Sequence, residues 1–231
     1  MRRDDPNLPY LRLVAEALGD LREQVVFIGG AVAGLLVTDP VAEGVRATRD
    51  VDAVVEAARV QFRRIEARIA ERGFTQDMTS DVICRWVHKD SGVLFDLMPV
   101  DGDVLGFSNR WYPYAVASAK QVELAPGLSI RLVSAVAFVA TKLEAFADRG
   151  AGDMLGSHDL EDVLNIVDGR EELPDELLAA PALLQQVVGG AFANLLARPD
   201  FANVLPGLIA EPERAGIVEQ RLRRMSEPTK N

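Results

Sequence analysis

Residues 25 to 55 read VVFIGGAVAGLLVTDPVAEGVRATRDVDAVV. The apolar run Val25 to Ile28 predicts a buried strand, broken by Gly29-Gly30. Ala31 to Val37 predicts a short helix stopped by Asp39-Pro40. Asp50-Val51-Asp52 then leads into a second apolar strand, Val51 to Val55. Side chains alternate faces along a strand, so Asp50 and Asp52 share one face and Val51 enters the core. Two like charges about 4 Å apart repel by about 4 kcal/mol at an effective dielectric near 20. A strand rarely keeps such a pair without a cation between them. Oxygen ligands suit a hard divalent ion, Mg2+ or Mn2+. The bare backbone N–H groups at Gly29-Gly30 suit a triphosphate.

Working outward, Leu8 to Leu21 carries a helical apolar stripe. Arg59 to Arg72 is amphipathic, with Phe62, Ile65 and Ile69 on one face and Gly73 as its stop. Val82 to His88 and Val93 to Pro99 flank Lys89-Asp90-Ser91-Gly92, a hairpin turn. Gln121 to Leu124 and Ser129 to Leu132 form a second hairpin around Ala125-Pro126-Gly127. From Ser134 onward the pattern is helical, with breaks at Gly150-Ala151-Gly152, Gly169, Pro174, Pro199 and Pro212. The fold class is therefore α/β (α+β). An α/β domain over residues 1–131 is followed by a helical domain over residues 132–231 that is expected to pack on it.

The chain has 231 residues, enough for a sizeable core. It has no apolar run long enough to span a membrane and no apolar signal core behind Arg2 and Arg3, so the expected location is cytoplasmic. Its single cysteine, Cys84, excludes an intrachain disulfide and reads as an inert thiol in a strand. A net charge of −10 argues against nucleic-acid binding over the whole surface but leaves room for a local basic face.

A third acid, Asp96, lies in the apolar stretch Val93 to Met98. A charge there is costly unless it is paired or metal-bound. On a strand beside Asp50 and Asp52, it would complete a set of three carboxylates able to hold two metal ions about 4 Å apart. Asp96 would then be a metal ligand or a base. Otherwise its counter-charge is Arg85 or Arg131. Arg46 and Arg49 flank the acids and read as phosphate contacts or as counter-charges.

Gly29-Gly30, Arg46-x-Thr48-x-Asp50-Val51-Asp52 and Asp96, taken in order, resemble the polymerase-β-type nucleotidyltransferase superfamily. The long gap between glycines and acids resembles its AbiEii/AbiGii toxin branch, which includes MenT-type toxins. Lys142-x6-Arg149 and Asp159-Leu160-Glu161-Asp162 match that branch's later motifs, so the likeness covers residues 25–168. Gly30 departs from it, standing where many relatives carry a serine. The resemblance implies a nucleotidyltransferase-fold mixed sheet with flanking helices, followed by a helical half. It implies a metal-dependent enzyme moving a nucleotidyl group from an NTP to an acceptor such as tRNA, as the toxin of a type IV toxin–antitoxin system with a cognate antitoxin. Asp50, Asp52 and Asp96 would be catalytic and bind metal. Gly29, Gly30, Arg46, Thr48, Lys142 and Arg149 would bind the nucleotide. Lys142 would also neutralise phosphate charge in the transition state, and Asp159 would orient Lys142 or the acceptor.

Ordinary readings compete with several of these. Lys142 can be a surface lysine, Arg149 a helix-dipole partner and Asp159 a first-turn acid in a helix capped by Ser157. Two features suit an RNA acceptor. Arg64, Arg68 and Arg72 form a basic stripe, although a solvated face is its usual meaning. Asn109-Arg110-Trp111 offers an amide, a cation and a ring, which either stack on bases or pack a loop. Transfer to a small hydroxylated molecule, as in aminoglycoside nucleotidyltransferases, is the alternative enzyme reading. A non-catalytic nucleotide- or partner-binding module is the alternative class.

Overall fold

The apolar runs become β1 (Val26–Ile28), β2 (Asp50–Val55), β4 (Arg85–His88), β5 (Leu94–Pro99), β6 (Lys120–Ala125) and β7 (Leu128–Leu132). A short β3 (Phe74–Gln76) joins them in one seven-stranded sheet ordered β3-β4-β5-β2-β1-β7-β6. The computed structural model describes residues 5–42, 45–150 and 153–227. The sheet is mixed. β2 runs parallel to β5 and antiparallel to β1, while β1 runs parallel to β7. Central strands buried on both faces explain the near-continuous apolar runs of β1 and β5.

The described chain divides into two compact units. The first, residues 5–34 and 46–137, holds the whole sheet. There α1 (Leu8–Leu18) packs on β7 and β2, and α3 (Arg59–Glu71) packs on β3. Phe27, Val51, Phe62, Phe74, Phe95 and Ile130 are almost wholly buried in it. The predicted helix after Gly29-Gly30 is a turn of 3-10 helix at Gly30–Val32 followed by α2 (Ala33–Leu36). Two elements escaped the sequence reading. β3 is too short to show a period, and α4 (Tyr112–Ala117) carries Pro113 in its first turn behind a loop-like sequence.

The second unit takes residues 35–42, 45 and 138–227. It contains most of α5 (Ala135–Gly150), and α6 (His158–Gly169), α7 (Leu173–Leu178), α8 (Ala182–Leu196), α9 (Phe201–Val204) and α10 (Ala215–Ser226). Leu160, Val163, Val188, Phe192 and Leu222 form its core. Residues 36–39 are tied into it by polar contacts. The N–H groups of Thr38 and Asp39 each donate to the Gly169 carbonyl at 2.9 Å, and Arg170 donates to the Leu36 carbonyl at 2.7 Å. Arg214 reaches both Asp39 and the buried Asp168, at 2.7 and 2.8 Å. Among the described residues, no helix is long and apolar enough to cross a membrane.

Candidate active site

The acids sit in one row across the sheet. Register partners run from Ile28 on β1 to Asp52 on β2, Asp96 on β5 and Arg85 on β4. Residues in register on neighbouring strands point to the same face. Asp50, two positions from Asp52, shares that face. Asp52 lies close over the turn that follows β1. A Cβ built on Gly29 would stand 1.9 Å from the Asp52 Oδ2, and Gly29 has φ +74° and ψ −176°. Only glycine fits there, for both space and backbone geometry.

The loop before β2 is held from a distance. Asn7, wholly buried at the start of α1, donates from Nδ2 to the Arg46 carbonyl at 2.9 Å. Its Oδ1 accepts from the Thr48 N–H at 2.8 Å. The side-chain amide thus acts as a strand partner for the loop. The Thr48 hydroxyl in turn donates to Asp50. Arg46 is half-buried, and Arg49 is exposed. Nothing in the sequence marks Asn7 for this work, because its partners lie about forty positions away.

The cation on the acid face is Arg85. Its Nε and Nη2 donate to the two oxygens of Asp96 at 2.9 and 2.7 Å, and Nη2 lies 3.5 Å from the Asp50 Oδ2. The hydrogen bond to Asp96 holds the guanidinium pKa well above its ordinary value. Asp96, 5% exposed, therefore has the charge partner that burial demands. Sequence reasoning named Arg85 only as the competing explanation of Asp96. The hairpin register could have decided it. Counting outward from the turn at residues 89–92 pairs Val87 with Leu94, Trp86 with Phe95 and Arg85 with Asp96.

This bears on the metal. Asp50 and Asp52 offer two carboxylates on one face, the oxygen donors that a hard divalent ion takes. Asp96 does not fit as a further ligand while Arg85 holds it. Among the described residues, no three His, Cys, Asp or Glu side chains group closely enough to hold a metal ion. Cys84, next to Arg85, is buried, and its thiol pKa is pushed up to about 12, first by burial and then by Asp96 and Asp52. It is inert at neutral pH.

In the helical unit, Lys142 on α5 lies 3.1 Å from Asp159 and 2.7 Å from Asp162, both on α6. Arg149 holds the other oxygen of Asp159 at 2.7 Å. Lys142 is largely buried and sits 5.9 Å from the Phe138 ring, so it is no free surface lysine. Ser157 caps α6 by accepting from the Leu160 N–H, as its spacing predicted. Asp162, almost wholly buried, is the partner that the sequence reading left without a role.

The acceptor candidates fare differently. Arg68 and Arg72 both pair with Asp20 at 2.6 Å, and Arg68 foremost lowers the Asp20 pKa. Only Arg64 of the stripe is exposed without an ion pair among the described residues. Trp111 is 7% exposed, and its backbone N–H donates to the Asn109 Oδ1 at 3.0 Å. The ring is a core residue under Arg110, 5.1 Å away, and presents no open face for a base.

No family model matches the chain, and no curated protein matches it in sequence. Solved structures do resemble it. An antigenic nucleotidyltransferase-like protein from Paracoccidioides brasiliensis is 17% identical with a TM-score of 0.57, over 94% of this chain and 93% of that one. JHP933 from Helicobacter pylori is 12% identical with a TM-score of 0.49, over 95% of this chain and 91% of that one. The fold is nucleotidyltransferase-like.

Proposed function

We propose that this protein transfers a nucleotidyl group from a nucleoside triphosphate to an acceptor. The observation that carries the reading is the placement of Asp50 and Asp52 on one strand face, with Asp52 over the Gly29 turn, in a nucleotidyltransferase-like fold. Asp50 and Asp52 would hold Mg2+ or Mn2+, which when bound neutralises phosphate charge. The Gly29-Gly30 backbone, Arg46 and Thr48 would seat the triphosphate. Asn7 fixes the loop that carries Arg46 and Thr48. Lys142 would supply a cation to the leaving phosphates, with Asp159 and Asp162 orienting its ammonium group. Arg149 would hold the triphosphate or support Asp159, the acid it pairs with.

RNA, tRNA foremost, is the proposed acceptor, and the likeness of the motifs to the AbiEii/AbiGii branch supports a toxin with a cognate antitoxin. A small hydroxylated acceptor is the second reading. It is favoured by the pairing of Arg68 and Arg72 with Asp20 and by the burial of Trp111. The test is incubation with each α-labelled NTP, Mg2+ and either total RNA or a set of aminoglycosides. Label in RNA supports the first reading and label in the small-molecule fraction the second. Label in neither contradicts transfer.

A further inference from the structure

We infer that the acid face takes one divalent ion and not two, Arg85 serving as the fixed counter-charge of Asp96. The inference rests on the nucleotidyl-transfer reading and deepens it. Both Asp96 oxygens are engaged by Arg85 in a two-point hydrogen-bonded pair, the strongest form of such a contact. The guanidinium stands farther from Asp50, at 3.5 Å against 2.7 Å from Asp96, so Asp96 is the acid it holds. Arg85 is not on a loop that can swing away. It lies on β4, held by the Trp86 to Phe95 pairing on one side of it and by the Leu97 N–H donating to the Cys84 carbonyl on the other. Withdrawing it would strand a buried carboxylate inside the sheet.

Arg85 therefore acts as a specificity-determining residue, setting how many ions the face accepts and leaving Asp50 and Asp52 as the ligand pair.

The test counts Mn2+ bound to the full chain at saturation with a non-hydrolysable NTP analogue, by electron paramagnetic resonance, after subtracting Mn2+ bound to analogue alone. The wild type should bind one ion per chain with an uncoupled spectrum. Arg85→Met should gain a second ion and a spin-coupled spectrum. Asp96→Asn should keep one ion with affinity within about twofold of wild type. Two ions in the wild type, no gain in Arg85→Met, or a loss of about tenfold or more in Asp96→Asn would each overturn the inference. If Arg85→Met fails to fold, the wild-type count and Asp96→Asn decide. Failure of the analogue itself to bind would instead remove the nucleotidyl-transfer reading beneath it.

Discussion

Gly29 and Asp52 depend on each other. The backbone at Gly29 lies in a region that side chains rarely enter, and the space where a Cβ would go is filled by the Asp52 carboxylate. Gly29→Ala should destabilise the fold by about 1–3 kcal/mol for the backbone alone. It should also push Asp52 aside. Thermal melts give the first effect. Nucleotide affinity, measured where the variant is still folded, gives the second and should fall. At this scale the sequence was informative where chemistry is local. Asp50 and Asp52 declared their shared face by spacing, and the glycines declared the turn. Arg85 is legible through the hairpin count, although the apolar neighbours of Asp96 point as readily to a metal. Asn7 was illegible, since a buried amide reaching a distant loop leaves no local pattern.

Two tied elements carry the helical unit. The first tie clasps α5 to α6 through Lys142, Asp159 and Asp162. Lys142→Met leaves Asp162 buried without its cation and should cost about 3–5 kcal/mol. Adding Asp162→Asn should restore much of that stability. If Lys142 serves the reaction as well as the fold, transfer stays lost in the double variant; recovery of both would make it a structural lysine. The second tie binds the segment after α2 to Arg214, just before α10. Asp39 accepts from the Val41 N–H and from Arg214, in that order of effect, and both lower its pKa. A depressed carboxylate stabilises fully above its unfolded pKa and loses that contribution as pH falls through its folded value. As pH falls through and below the ordinary carboxylate range, Asp39→Asn should therefore lose less stability than the wild type in denaturant titrations. A parallel loss would show that Asp39 contributes nothing there. The helical pattern was legible from residue 134 onward. The membership of residues 35–42 in that unit was not, because it depends on backbone contacts to Gly169 and on Arg170 and Arg214.

For the whole molecule, the net charge of −10 sets the terms of any RNA contact. Affinity should fall with salt in proportion to the few phosphates engaged. With Arg68 and Arg72 committed to Asp20, Arg64 is the member of the stripe left to meet a phosphate. Arg64→Glu should weaken RNA binding and reduce the salt slope by about 1. An unchanged slope in filter-binding titrations would remove α3 from the acceptor surface. Nucleotidyl transfer, as proposed for the acid pair of β2, is read by pyrophosphate release from an NTP with Mg2+ and acceptor RNA. The wild type should release pyrophosphate only with Mg2+ present. Asp52→Asn should release it at least about a hundredfold more slowly while its melting temperature changes little. A wild-type rate in Asp52→Asn would contradict that role for the acid pair.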